Sequence, residues 1–123
     1  MLYLVDLSKM AAVENFPSVV VLEVRRCPCL KAIRGFAKLQ TVIIESCPAL
    51  EVLEAGSALD NVVLFDPDME TLPEYLRGLK PRILDVYACH QKLRDLLSCS
   101  DDDSADCLAE KNKIKGVGKL KVW

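Results

Sequence analysis

Apolar positions recur along this chain with a fixed step. Leu22, Val42 and Val62 stand twenty residues apart, and Val24, Ile44 and Leu64 follow each of them by two. Leu84 and Val86 continue the series after a step of twenty-two. Each pair sits in a short run rich in valine, isoleucine and leucine: "VVVLEV", "LQTVII", "DNVVLF" and "RILDV". Proline, glycine, aspartate or cysteine bounds each run, which predicts short strands. An earlier run, "YLVDL", holds Val5 and Leu7. Val5 lies only seventeen residues before Leu22, so the first spacing reads as irregular.

After each strand comes Cys27 or Cys47, then Leu30 or Leu50, then Ile33 or Leu53. The template L-x-x-L-x-L-x-x-C/N-x-x-L-x-x-L fits Val19 to Ile33 and again Leu39 to Leu53. A third copy starts at Leu59, Val62 and Leu64 and then slips. Pro67 takes the cysteine place, and Met69 and Leu72 take the later apolar ones. Leu79, Leu84, Val86 and Cys89 begin a fourth, stretched copy ending in Leu93 and Leu96. This template identifies the chain as a leucine-rich repeat at the short end of the known periods.

One strand and its return arc cannot bury their apolar side alone. Stacked copies pair the strands into a parallel sheet and join the leucines into one core. The fold class predicted is therefore an α/β leucine-rich-repeat solenoid. About four or five parallel strands should line the concave face, with irregular arcs and short helices on the convex face. Where each strand ends, the backbone leaves the sheet and needs a small side chain that packs or hydrogen-bonds. Cysteine meets that need as a small, apolar, weakly donating residue. Cys27, Cys47 and Cys89 are thus expected as buried structural residues, stacked about one strand spacing (~4.8 Å) apart. A row of thiols does not converge on a point as a tetrahedral zinc site requires.

Composition narrows the reading further. With 123 residues the chain has material for one core, and half of it is hydrophobic. A net charge of -2 gives no reason to expect nucleic acid or an anionic membrane as partner. The longest apolar stretch, "FPSVVVL", is too short to span a bilayer. "MLYLVDLSKM" lacks the positive charge and unbroken apolar run of a signal peptide. A cytoplasmic or nuclear location is expected, where six cysteines need form no disulfide.

The phrases "FPSVVVLEVRRCPCLKAI", "LQTVIIESCPALEVL" and "TLPEYLRGLKPRILDVYACHQKL" resemble the C-terminal repeats of plant intracellular immune receptors. These are the nucleotide-binding, leucine-rich-repeat disease resistance proteins of the coiled-coil type. The resemblance covers residues 16–97 and rests most on "L-x-L-x-x-C-P-x-L" and "LPEYLRGL-x-P". It implies a recognition and autoinhibition module in a defence response. The partners it implies are a pathogen effector, a host protein or the receptor's own nucleotide-binding domain. The receptors' ATPase switch is not implied, because the chain has no G-x-x-x-x-G-K-[ST]; Gly116 and Gly118 in "KGVGKLKVW" make no phosphate loop. No cofactor is expected, and the chain reads as a fragment or a truncated relative of such a receptor.

Alternate residues of each strand should point outward on the concave face. One column then runs Glu23, Ile43, Val63, Asp85: apolar in the middle and acidic at both ends. The next runs Arg25, Glu45, Phe65, Tyr87: a charged pair followed by two aromatics. An apolar patch with aromatics and a charged rim suits protein binding, with Phe65 and Tyr87 as anchors. A loop, the C-terminal tail or another domain could equally cover it.

Residues 1–97 are assigned to the solenoid and residues 98–123 to a C-terminal cap or tail, partly helical or disordered. Leu93, Leu96 and Leu97 have helical spacing. "SDDDSADCLAEKNKIK" starts acidic and ends in lysines, which suits a helix dipole. "KLKVW" alternates like a strand and can pair with a sheet edge. At the other end, the apolar run "MLYLVDL" invites self-association.

Three other functions compete. A leucine-rich adaptor outside immunity, such as a ubiquitin-ligase substrate reader, fits the repeat, although no F-box sequence precedes it. A metal- or thiol-binding protein would use Cys27, Cys29, Cys89, His90, Cys99 and Cys107, but no C-x-x-C pair is present. An enzyme with a cysteine nucleophile would need His90, the single histidine, as base. Neither of the last two is expected.

Overall fold

The computed structural model describes residues 2–87, 89–97 and 105–123. The chain winds as a parallel β-solenoid. Strands β1 (Leu2–Val5), β3 (Val21–Arg25), β5 (Thr41–Glu45), β7 (Asn61–Phe65), β8 (Ile83–Tyr87) and β9 (Lys119–Val122) form a six-stranded sheet in that order. A second sheet joins β2 (Ala12–Glu14), β4 (Ala32–Phe36) and β6 (Val52–Ala55). All pairings are parallel.

The register is the repeat made visible. Leu2, Leu22, Val42, Val62, Leu84 and Leu120 stand side by side across the large sheet. Leu4, Val24, Ile44, Leu64, Val86 and Val122 form the next inward row. Val13, Ile33 and Leu53 make the matching row of the small sheet. Between the sheets lies one core containing Leu30, Phe36, Leu39, Leu72, Leu76 and Leu93, all essentially without solvent contact.

The first turn corrects the sequence reading. Leu2 and Leu4, not Val5 and Leu7, occupy the strand positions, each twenty residues before its partner. The step of twenty therefore holds from β1 through β7. Leu7 takes the place that Cys27 holds one turn later, and packs partly buried against the core.

The back of the solenoid also differs from expectation. The first three turns carry a second sheet there, and helical structure gathers toward the end of the chain. Helical backbone advances only ~1.5 Å per residue, whereas extended backbone advances ~3.3 Å. A twenty-residue turn that already spends five residues on a strand must return extended. Neighbouring turns then satisfy its donors, as in Lys31 N–H to Ala11 O and Glu51 N–H to Lys31 O, both 2.8 Å. Gly35 sits where the β4–β6 register shifts, at φ 76, the left-handed backbone that glycine adopts without strain.

The strand exits form two ladders of their own. Asp6, Arg26 and Ser46 all take left-handed backbone, at φ 57, 51 and 52. This lets Asp6 donate to Arg25 O and Arg26 donate to Glu45 O, at 3.0 and 2.8 Å. Arg26 and Asp6 also pair through their side chains, Nε to Oδ1 at 2.6 Å. The next residue is the buried cysteine. Cys27 donates its thiol to Arg25 O, and Cys47 to Glu45 O, both at 3.4 Å. Cys89 is buried on a later turn. The thiols satisfy strand-end carbonyls from within the core.

Burial pushes the Cys47 thiol up to about 11 from an ordinary 9.0. The neutral thiol is the form the fold prefers. The unfolded chain releases its proton first, so this stabilisation is complete below about pH 9 and is lost toward pH 11. Replacing Cys47 with alanine should cost about 1–3 kcal/mol near neutrality and flatten the fall in stability between pH 9 and 11. Urea unfolding of both proteins across that range measures it. An unchanged slope would mean that the thiol is not the group responsible.

The last third departs from the plain repeat. A 3-10 turn spans Glu74–Gly78, and helices α1 (Gln91–Leu97) and α2 (Ala105–Lys113) follow β8. Residues 98–104, with Cys99 and most of the acidic run, lie outside the described residues. The helix expected at Leu93–Leu97 is present as α1, with Leu93 buried. α2 packs on α1 and on the 3-10 turn. It docks through a buried charged pair. Glu110 accepts the Leu72 N–H at 2.7 Å, and Lys113 donates to Leu72 O at 2.9 Å. Lys113 and Glu110 meet at 3.1 Å. Together they satisfy both backbone polar groups of Leu72, as a neighbouring strand would.

Removing one member strands the other charge in the interior. Lys113→Met alone should cost about 3–5 kcal/mol, while Glu110→Met with Lys113→Met should cost much less. Thermal unfolding of the single and double variants decides this. A double variant as unstable as the single one would mean that the pair contributes through its hydrogen bonds to Leu72 rather than through charge balance.

Candidate protein-binding face

The outward face of the six-stranded sheet is set by strand alternation. Six of the eight residues expected there line one depression of about 350 Å³: Arg25, Ile43, Glu45, Val63, Phe65 and Tyr87. Ile43 and Val63 make a partly buried apolar floor between neighbouring strands. Phe65 stands 40% exposed beside them. Phe65 and Tyr87 stack with ring centroids 6.5 Å apart.

Glu23 and Asp85 share the face but are not open to a partner. Both are buried, at 6% and 9% exposure. Their expected role as acidic ends of a binding column is therefore corrected. Arg25 lies over Glu23, with its Nε 2.7 Å from Oε1, and reaches across to Glu45 at 2.8 Å. Asp85 is covered from the other end. Trp123 Nε1 donates to Asp85 Oδ1 at 3.2 Å, and the indole stacks on Tyr87 at 5.6 Å and 6°.

Trp123 is the site residue that the sequence reading missed. The signal was present in "KLKVW": its alternation puts Lys119, Lys121 and Trp123 on one side of the strand. The strand does pair with the sheet edge, as Lys121 aligned with Asp85 shows. Trp123 N–H then donates to Val86 O at 2.9 Å and extends the ladder by one residue. The aromatic column is thus three rings long rather than two. Each stacked pair adds about 0.5–1.5 kcal/mol beyond burial.

The charges at the other end of the face form a clamp. Glu23 holds the Arg25 guanidinium above its ordinary range, mainly by hydrogen bonding, with Glu45 adding a smaller attraction. Arg25 thereby neutralises two carboxylates that adjacent strands bring within reach of each other.

No group of three or more histidine, cysteine or acidic residues among the described residues is placed to hold a metal. No helix among them is long and apolar enough to cross a membrane. His90 lies exposed at the start of α1, directly after the buried Cys89, with its Nε2 3.7 Å from Glu70. The fold defines a parallel repeat solenoid with one apolar, aromatic sheet face. No family model, no curated protein and no solved structure matches the chain.

The clamp makes a stability prediction. Arg25→Met leaves the Glu23 carboxylate buried without its counter-ion and should lower the melting temperature by several degrees. Adding Glu23→Gln should recover most of that loss. Thermal melts followed by circular dichroism test it; a single variant as stable as the parent would show that Glu23 needs no partner.

Proposed function

We propose that this chain is a protein-recognition module, the leucine-rich-repeat part of a plant intracellular immune receptor. The observation that carries recognition is the depression on the open sheet face. An apolar floor, two adjoining aromatics and an internally neutralised charged rim suit a desolvated protein contact. Phe65 and Tyr87 serve as its anchors. The receptor assignment is supported by the "L-x-L-x-x-C-P-x-L" and "LPEYLRGL-x-P" phrases and by the twenty-residue register. In this reading the module works in the cytoplasm or nucleus, and its partner is an effector, a host protein or the receptor's own nucleotide-binding domain. Autoinhibition and recognition then compete for one face.

A photo-crosslinking residue placed at Phe65 should capture a discrete protein partner in plant cells, while one at Glu54, exposed on β6, should not. Phe65→Ala with Tyr87→Ala should weaken that contact at least about tenfold and leave the fold intact. Equal capture from both faces would overturn the assignment of the site. A partner outside defence signalling would overturn the receptor reading and leave the site standing.

A further inference from the structure

The fourth turn leaves a gap that the first three do not. In the third turn Ile44, Cys47 and Leu50 keep 5%, 8% and 7% of their surface exposed. Their equivalents one turn earlier, Val24, Cys27 and Leu30, keep none. The cause lies in the sequence. Pro67 replaces the cysteine, and the residue before a proline is pushed toward extended backbone. Asp66 does not take the left-handed exit used by Asp6, Arg26 and Ser46. The chain swings away, and Met69 is only partly buried where Leu50 was. A cleft of about 310 Å³ opens between the third and fourth turns.

The volume falls at the lower end of the range of small-molecule sites. Its floor is Ile44, Cys47, Leu50 and Leu64. Tyr75 forms a wall, and its phenol is held protonated well above the ordinary range, chiefly by burial. Asp66, Asp68 and Glu70 stand at the mouth with Ser46 and Thr71. Among the described residues no lysine or arginine lines it. Arg26 lines an adjoining depression with Asp66 and Asp68 but is engaged by Asp6. Asp66 accepts the Asp68 N–H at 3.0 Å, and Glu70 faces His90 at 3.7 Å. An apolar interior behind an acidic mouth selects one chemistry.

We propose that this cleft binds a small organic ammonium compound, with its apolar body against Cys47 and Leu50 and its cationic head among Asp66, Asp68 and Glu70. The cleft shares Phe65 with the open sheet face but does not depend on the function proposed for that face. An anion of the same shape is repelled by the mouth, and a neutral analogue gains only the apolar contact.

Benzylamine, benzyl alcohol and benzoate separate these contributions in the unaltered protein. Benzylamine should shift the amide resonances of Ser46, Cys47, Met69 and Thr71 saturably. Benzyl alcohol should bind about tenfold more weakly, and benzoate more weakly still. Added salt should reduce the benzylamine affinity and leave that of benzyl alcohol unchanged. Asp66→Asn with Asp68→Asn should bring benzylamine down to the level of benzyl alcohol. Equal affinity for all three probes, or no saturable shift at these residues, would overturn the proposal. So would benzylamine binding that ignores both salt and the double variant.

Discussion

Everything in this molecule depends on the in-register stacking of twenty-residue turns. Each turn supplies one short strand and one return arc, and neither is stable alone. The neighbouring turn supplies both the hydrogen-bond partners and the apolar surface. Register then fixes chemistry as well as shape, because each residue lies beside its equivalent at ~4.8 Å. Leucine on leucine or thiol beside thiol is favourable in the interior. Like charges on the outside are not, and the open face shows how the chain avoids them. Glu23 and Glu45 lie on adjacent strands with Arg25 between them, reaching both. Asp6 and Arg26 stack as opposite charges at the strand exits.

The same constraint explains why one proline matters so much. The exit corner is a column, not an isolated turn. A residue that refuses the left-handed exit shifts everything after it on that turn. Pro67 occupies the corner of the fourth turn, and the step to the next strand grows from twenty to twenty-two residues. The extra length goes into the 3-10 turn at Glu74–Gly78, whose Leu76 refills the core. It does not refill the space above Cys47. There the interior of the third turn remains open to solvent, and acidic residues of the displaced arc border it.

Strand positions were legible because burial on one face imposes a period of two within a period of twenty. Leu22, Val42 and Val62 could only be neighbours. The thiol corners were legible for the same reason. The first turn was misphased, since "LYLVDL" contains two overlapping alternations and only pairing to β3 selects Leu2 and Leu4. The back sheet was missed because "AIRGF" and "VLEA" are short and polar on one side, and carry little strand signal until turns stack. The candidate face was readable as a set of positions. Its energetics were not: alternation put Glu23 and Asp85 outward, but only the fold shows that Arg25 and Trp123 cover them.

Trp123 also changes what binding at this face requires. The apolar floor at Ile43 and Val63 and the exposed edge of Phe65 are available as they stand. Tyr87 is shared, because its ring is sandwiched between Phe65 and Trp123. A partner that uses only Phe65 meets a preformed surface and loses little entropy on docking. A partner that needs both faces of Tyr87 must displace the indole, together with its hydrogen bond to Asp85, and would leave a nearly buried carboxylate unpaired. Such a partner has to bring its own donor to Asp85. Under the proposed recognition function, the C-terminal strand would filter partners at the aromatic end of the face, favouring contacts that add to the column over those that replace its last ring.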